Sequence, residues 1–244
     1  MNWLLSVRLQ LGEFLLDVKI DQKVSPLILI GSNGSGKSTL IRTLAGAHHP
    51  QEGSIRLGNE IWFDSKRNIF TPPEHRNLGY VPQKYTLFPH LDVLDNISFG
   101  RIRSLNRKNR RAEALKILNE MSYPQLALRF PRDLSGGERQ RVALARTFVL
   151  QPSLWLFDEP FSAIDPASRA SVRSMLIKRL NASSSPVVMV THSLEDIKAM
   201  NAQIAVMDSG SIVQLGSLEE ITRDPQNPFA SKIAKIKNEI SNNN

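Results

Sequence analysis

The stretch Leu27-Ile28-Leu29-Ile30-Gly31-Ser32-Asn33-Gly34-Ser35-Gly36-Lys37-Ser38-Thr39-Leu40 decides the fold of this chain. A short apolar run stops at a glycine, a loop of small residues follows, and Lys-Ser-Thr opens a helical pattern. Gly31 to Ser38 fits the G-x-x-x-x-G-K-[ST] spacing of a phosphate-binding P-loop. Glycines let the backbone curl so that successive N–H groups point at a nucleotide's phosphates, and the positive end of the following helix adds to that field. Lys37 is placed to reach the β- and γ-phosphates, and the Ser38 hydroxyl to ligate Mg²⁺. The plainer reading, a glycine-rich turn, leaves the strand before it and the helix after it unexplained. Taken alone, the loop specifies only a nucleoside triphosphate.

Outward from the loop, Trp3 to Ile20 alternates apolar and polar residues on both sides of Gly12-Glu13, which predicts an antiparallel hairpin. Leu27 to Ile30 is the unbroken apolar run of a strand buried on both faces. Ser38 to Ala45 reads as a helix closed by Gly46. Gly53 to Trp62 reads as a hairpin turning at Gly58-Asn59. Leu78 to Val81 is a short strand ending at Pro82, with Gln83 just beyond. From Asp92 to Phe148 the pattern is helical, with breaks at Pro124 and Pro131. Within it, Arg107 to Met121 carries Ala112, Leu115, Leu118 and Met121 as an apolar stripe. Leu154–Phe157 and Val187–Val190 return to buried-strand composition with a helix, Ala167 to Leu180, between them, a βαβ pattern. Ile204–Met207 and Ser211–Gln214 form a last hairpin around Asp208-Ser209-Gly210. From Ser231 the sequence is polar and is expected to fray.

The 244 residues can bury a real core, and 41% hydrophobic with 22% charged residues is ordinary for a soluble domain. The absence of cysteine excludes disulfides and thiolate metal sites and suits a reducing compartment. Met1-Asn2-Trp3-Leu4-Leu5 has no basic n-region or cleavage site, and no apolar run approaches the roughly 20 residues of a membrane-spanning helix. A cytoplasmic protein is expected. The net charge of +8 favours anionic company without choosing among nucleotide, nucleic acid and lipid headgroups.

Two further stretches carry chemistry. Strand Leu154–Phe157 ends in Asp158-Glu159, where open α/β sheets place their ligands. Asp158 is assigned to the Mg²⁺ shell and Glu159 to general-base activation of water. A solvated acidic loop is the competing reading, and it does not explain a carboxylate pair at a buried strand's end. Leu134-Ser135-Gly136-Gly137-Glu138-Arg139-Gln140-Arg141 puts a capping serine and two glycines before a helix, a second anion-binding helix N-terminus. One site needs one phosphate cradle, so the second is assigned to another molecule's nucleotide, which predicts a dimer.

From about Val7 to Phe229 the chain resembles the ATP-binding cassette (ABC) ATPases, the nucleotide-binding subunits of ABC transporters. The motifs stand in the family's order: Walker A at Gly31–Thr39, the Q-loop at Gln83, the signature Leu134–Gln140, Walker B at Leu154–Asp158 with Glu159, the D-loop Ser162-Ala163-Ile164-Asp165, and a switch His192 after Val190-Thr191. The resemblance implies an α/β P-loop NTPase fold, with a RecA-like parallel core and antiparallel hairpins over about 1–86 and 153–230. A helical subdomain over about 87–152 and a polar tail at 231–244 complete it. It implies ATP at Gly31, Ser32, Asn33, Gly34, Ser35, Gly36, Lys37, Ser38 and Thr39, and Mg²⁺ at Ser38, Gln83 and Asp158. Glu159, His192 and Gln83 are the implied catalytic residues. Ser135, Gly136, Gly137 and Asp165 are the implied contacts to ATP held by the opposite subunit of a homodimer, with Ser162 at the same interface. Transmembrane permease subunits and, indirectly, a solute-binding protein are the implied partners, on the cytoplasmic face of the membrane. His48, His49, His75 and His90 have no metal-like spacing and are read as loop histidines.

One departure concerns the base. The family usually stacks an aromatic residue of the first hairpin on adenine, and the matching position here is Leu11, with Phe14 the nearest aromatic. Either Phe14 takes that place through a shifted register, or base stacking is weak and an apolar contact replaces it; the second is expected, with modest base discrimination. Thr71–Gln83 and Leu87–Ile97 resemble bacterial import cassettes, and the short first hairpin is most similar to molybdate-importer ATPase subunits. Sulfate, iron and polyamine cassettes share much of this. The chain stops soon after Asn227-Pro228-Phe229, so the C-terminal oxyanion-binding regulatory domain common in molybdate cassettes is expected to be absent.

The basic run Arg101, Arg103, Arg107, Lys108, Arg110 and Arg111 is compatible with nucleic acid. A solvated helix face turned toward anionic lipid explains it with fewer assumptions, since no aromatics interleave. A non-transport cassette acting on nucleic acid usually has two cassettes in one chain or a long inserted coiled coil, and this chain has neither. No nucleic-acid partner is expected. A P-loop kinase leaves Ser135-Gly136-Gly137 and His192 without a role.

Overall fold

The computed structural model describes residues 3–22, 26–100 and 106–242. In chain order the strands are β1 (Trp3–Leu11), β2 (Phe14–Gln22), β3 (Leu27–Gly31), β4 (Glu52–Leu57), β5 (Glu60–Asp64), β6 (Ile69–Phe70), β7 (Leu78–Val81), β8 (Leu154–Asp158), β9 (Val187–Val190), β10 (Gln203–Asp208) and β11 (Ser211–Gly216). The helices are α1 (Lys37–Leu44), α2 (Val93–Ser98), α3 (Arg107–Glu120), α4 (Gly136–Phe148), α5 (Pro166–Asn181), α6 (Leu194–Met200), α7 (Leu218–Arg223) and α8 (Pro228–Asn242). They fall into two compact units, Met1–Leu78 with Ser153–Asp158 and Ser185–Asn244, and Gly79–Pro152 with Glu159–Ser184. Helix α5, which the sequence places with the α/β part, groups with the helical unit.

In the first unit an antiparallel sheet runs β2-β1-β4-β5-β6. Its hairpins turn where the sequence says, with Leu11 opposite Phe14 and Leu57 opposite Glu60. The second sheet runs β11-β10-β3-β9-β8 across this unit, parallel from β10 to β8, with β11 antiparallel on β10. Every residue of β3, β8 and β9 is buried. This is why these strands read as unbroken apolar runs rather than alternating ones. Register sets Val190 beside Leu29 on one side and Asp158 on the other. The carboxyl ends of three neighbouring strands therefore deliver Gly31, Asp158 and Thr191 to one sheet edge, where open α/β sheets bind ligands.

Helix α1 ends as predicted around Gly46. The Gly46 N–H donates to Thr43 O and the Ala47 N–H to Arg42 O, the paired bonds of a Schellman closure. The C-terminal segment corrects the sequence reading: the tail expected to fray from Ser231 is helical through Asn242. Apolar residues at helical spacing explain it, since Ala230 and Ile233 are fully or nearly fully buried and supply the core-facing side that a polar average conceals.

In the second unit α3 also corrects the sequence reading. Its buried residues are Ala114, Ile117 and Leu118, with Met121 just past its end, whereas Ala112 is exposed and Leu115 is 37% exposed. The stripe Ala112, Leu115, Leu118, Met121 advances by threes, and each step falls about 60° short of a full turn. Ala112 therefore ends opposite Met121, while pairs three and four apart (114/117, 118/121, 114/118 and 117/121) keep 114, 117, 118 and 121 on one face. The basic run is only partly a solvated face. Arg107 bridges to Asp95, and Arg111 bridges to both Asp92 and Asp95, tying α3 to the first turn of α2. Burial pushes the Asp95 pKa up, but the hydrogen bonds from Arg107 and Arg111 outweigh it, and the net shift is downward. Arg101 and Arg103 lie outside the described residues.

Candidate functional site

The P-loop occupies the turn between β3 and α1 in the first unit. Gly31 ends β3 at φ 150°, where a Cβ would lie 2.2 Å from the Met207 carbonyl oxygen of the neighbouring strand, so no other residue fits. Gly36 caps α1 in the left-handed region at φ 102°, and a Cβ there would meet the Phe14 ring at 2.9 Å. Phe14 is thus packed against the loop, while Leu11 is 38% exposed at the end of β1. Lys37 is buried, and its Nζ donates to Gly31 O at 2.9 Å, Ser32 O at 2.7 Å and Ser35 Oγ at 3.3 Å. Carbonyl oxygens hold that ammonium at the centre of the loop. The loop is further fixed by the Gly210 N–H, from the β10–β11 turn, donating to Ser35 O.

At the edge of the same sheet, Ser38 Oγ donates to Asp158 Oδ1 at 3.3 Å. Asp158 is 1% exposed. A buried carboxylate and a hydroxyl, both hard oxygen donors, suit Mg²⁺, which is usually held by one or two side chains together with substrate phosphates. Among the described residues no cluster of three or more His, Cys, Asp or Glu is placed to hold a metal ion. His192 is exposed two residues beyond Val190, and the Phe229 ring of α8 meets its imidazole edge-on at 6.1 Å. Its loop is braced below. Buried Thr191 donates to the buried Asp196 carboxylate at 2.8 Å, its Oγ accepts from the Ser193 N–H, and Ser193 caps α6.

The second unit carries the remaining predicted residues. Gln83 is exposed just past β7. Ser135 is the N-cap of α4 in a capping box: its Oγ accepts from the Glu138 N–H and its own N–H donates to the Glu138 carboxylate at 2.7 Å. That hydrogen bond from the Ser135 backbone holds the Glu138 pKa below its usual range. Gly136 and Gly137 form the first turn behind this cap; nothing stands within 4 Å of where a Gly136 Cβ would be, whereas a Gly137 Cβ would meet the Ala163 carbonyl oxygen at 3.0 Å. Glu159 follows β8 with φ 53°, left-handed for a glutamate. Asp165 caps α5 and pairs with Arg141 of α4, whose guanidinium lies 4.3 Å above the Tyr123 ring. Its hydrogen bond from the Ser168 backbone leads the causes that lower its pKa.

Several residues given no role by sequence reasoning hold these elements in place within their own units. Gln140 is fully buried, and its amide joins Glu159 O to the Ala163 N–H. Tyr85 Oη and Ser162 Oγ are 2.9 Å apart. Arg76 is buried over the carboxyl end of α1. A glutamine just inside a helix and an arginine in a loop give no pattern from which such partners can be read.

A parallel-stranded α/β core with a lysine-centred phosphate loop and a serine–aspartate oxygen pair at the strand ends defines a P-loop nucleoside triphosphatase. The ABC transporter family model matches residues 16–162, and the chain belongs to that family. It is 38% identical to the molybdenum import ATP-binding protein of Paramagnetospirillum magneticum, over 91% of this chain and 61% of that protein. It is 40% identical to a sulfate/thiosulfate import ATP-binding protein of Rhizobium meliloti, over 92% of this chain and 65% of that protein. The chain thus spans about three-fifths to two-thirds of these relatives' length. A dimeric ATP-binding cassette in a post-hydrolysis state with ADP and Pi superposes with a TM-score of 0.76 at 26% identity, over 89% of this chain and 98% of that one.

Proposed function

We propose that this chain is the ATP-hydrolysing subunit of an ABC importer that powers uptake of an oxyanion of the molybdate class. The observation that carries the ATPase reading is the Ser38–Asp158 oxygen pair beside a Lys37 ammonium held by loop carbonyls. Triphosphate oxygens would replace those carbonyls around Nζ, and the α1 N-terminus would add its partial positive charge. Ser38 and Asp158 would hold Mg²⁺, which would supply charge neutralisation for the triphosphate when bound. Glu159 accepts a proton from the attacking water as general base, and His192 and Gln83 orient the γ-phosphate and that water. Ser135, Gly136 and Gly137, together with Asp165 and Ser162, face the nucleotide of a second copy, so the working unit is a head-to-tail homodimer.

No described helix is long and apolar enough to cross a membrane, so the solute would pass through separate permease subunits fed by a solute-binding protein. The chain would sit on the cytoplasmic face beneath them. Molybdate is favoured by the molybdenum import relative. Sulfate is the second reading, favoured by the 40% identical sulfate/thiosulfate relative.

Glu159→Gln tests the chemistry. ATP binding should persist while turnover stops and the dimer is stabilised, and normal steady-state hydrolysis by that variant would remove Glu159 from the base role. For the solute, ATPase activity of the reconstituted importer should rise with molybdate-loaded and not sulfate-loaded binding protein. The opposite ranking would transfer the assignment to sulfate.

A further inference from the structure

Glu159 is the one charged residue among the described non-glycine residues in the left-handed region. The others, Asn68, Ser122, Asn201 and Ser209, are asparagines or serines in turns. A long side chain is retained in that conformation only where its surroundings over-determine it. Here they do so at one atom. The Glu159 carbonyl oxygen accepts from Gln140 Nε2 at 3.0 Å, from Ser162 Oγ at 3.1 Å and from the Ser162 N–H at 3.3 Å.

Gln140 is the buried member of this group, at 0% exposure. Both ends of its amide are used, since Oε1 also accepts from the Ala163 N–H at 2.8 Å. The side chain therefore clamps the turn from Glu159 to Ala163 onto α4. It lies one helical turn behind Gly136, on the helix whose N-terminus carries Ser135-Gly136-Gly137. The next residue, Arg141, fastens the same helix to Asp165. Ser162 extends the group outward. With its hydroxyl hydrogen given to Glu159 O, Tyr85 Oη at 2.9 Å must donate to it. Tyr85 stands two residues past Gln83.

We propose that Gln140 is the positioning residue of the hydrolytic base: its amide holds the Glu159 peptide in the left-handed conformation, so that displacement of the Ser135–Gly137 helix turn is passed directly to the base. The inference rests on the reading of Glu159 as general base. A nucleotide bound at the Ser135–Gly137 turn would then fix α4, and α4 would fix Glu159, making hydrolysis depend on the second copy. Ser162 and Tyr85 give the same carbonyl a second tie, from the segment that follows Gln83.

The test uses the full chain with Mg·ATP. Gln140→Glu keeps an acceptor for Ala163 and loses the donor to Glu159. We expect kcat to fall by about ten- to a hundredfold, the cost of a misplaced catalytic group, with KM for ATP changed less than about twofold. Added to Glu159→Gln, the same substitution should leave ATP affinity unchanged. Ser162→Ala, at an exposed position, examines the same carbonyl without endangering the fold, and should lower kcat by about two- to tenfold at constant KM. A dead Glu159→Gln beside a Gln140→Glu or Ser162→Ala of unchanged kcat overturns this proposal alone. So does an equal loss of ATP affinity and kcat in Ser162→Ala. Normal turnover by Glu159→Gln overturns the base reading and this proposal with it.

Discussion

Ser38 Oγ lies 3.3 Å from Asp158 Oδ1, across the gap between the first turn of α1 and the end of β8. The two residues are 120 positions apart in sequence, and parallel strand packing brings them together. Asp158 is buried, so its charge needs a cation or donors to offset desolvation. If this pair serves a nucleotide-borne Mg²⁺, Asp158→Asn should raise the Mg²⁺ concentration for half-maximal ATPase activity by about ten- to a hundredfold. Titration of activity against Mg²⁺ at saturating ATP measures this directly. A wild-type midpoint in the variant would show that the pair only closes the sheet.

The corrected face of α3 makes a stability prediction. Leu118 is 2% exposed and Leu115 is 37% exposed, on the same helix three residues apart. Leu118→Ala should cost about 2–4 kcal/mol through lost burial and a residual cavity. Leu115→Ala should stay within about 0.5–1 kcal/mol, as a mostly surface change. Urea unfolding of both variants separates the two faces. Equal losses would restore the step-of-three stripe.

What was legible in the sequence is what short-range physics dictates. β3, β8 and β9 are announced by apolar runs because both their faces are covered, and the two-residue hairpin turns are announced by Gly12 and Gly58. The P-loop and the Ser135 helix cap were readable because each is a local backbone arrangement with few residue solutions. Side-chain partnerships at long separation were not readable. Nothing in the pattern around Gln140 says that its amide spans Glu159 and Ala163, or that Arg141 takes Asp165. Tail helicity was missed because average polarity between 231 and 244 outweighed the few apolar residues that secure α8.

Asp165 gives a pH-dependent prediction. The Ser168 backbone hydrogen bond, with further help from the Ser168 side-chain bond and the Arg141 charge, lowers its pKa against the opposing effect of burial. A carboxylate with a depressed folded pKa stabilises the fold above its unfolded value of about 3.9 and loses that contribution as pH falls through the folded value. Asn caps a helix about as well as Asp but carries no charge. Asp165→Asn should therefore lower stability near pH 7 and converge on wild type as pH drops below about 4. Urea midpoints across that range test the sign. A constant offset between the two proteins would assign the loss to the cap rather than the charge.

Arg76 carries the last prediction. Its guanidinium donates to Thr43 O at 3.1 Å, Leu44 O at 2.7 Å and Thr71 O at 2.8 Å. It lies between the Trp62 and Phe70 rings, at 5.5 and 5.3 Å. Burial pulls its pKa down to about 10, so it remains charged at neutral pH. The cation therefore sits on the negative end of the helix that begins at Lys37, where the last-turn carbonyls stabilise positive charge. Its Nη2 has no hydrogen-bond partner among the described residues, so the site fits a planar fork held by carbonyls and ring faces rather than by a carboxylate. A lysine ammonium donates from a single nitrogen, whereas here Nε reaches Thr71 O and Nη1 reaches Thr43 O and Leu44 O from separate points of a planar fork. Arg76→Lys should cost about 2–4 kcal/mol in chemical denaturation, because it buries a charge that is poorly hydrogen-bonded. Arg76→Met removes the charge but leaves the α1 carbonyls unmet, and should also destabilise, by about 1–3 kcal/mol. A methionine variant more stable than wild type would mean that the buried charge costs more than its hydrogen bonds return, and would end the assignment of Arg76 as the stabilising closure of the P-loop helix.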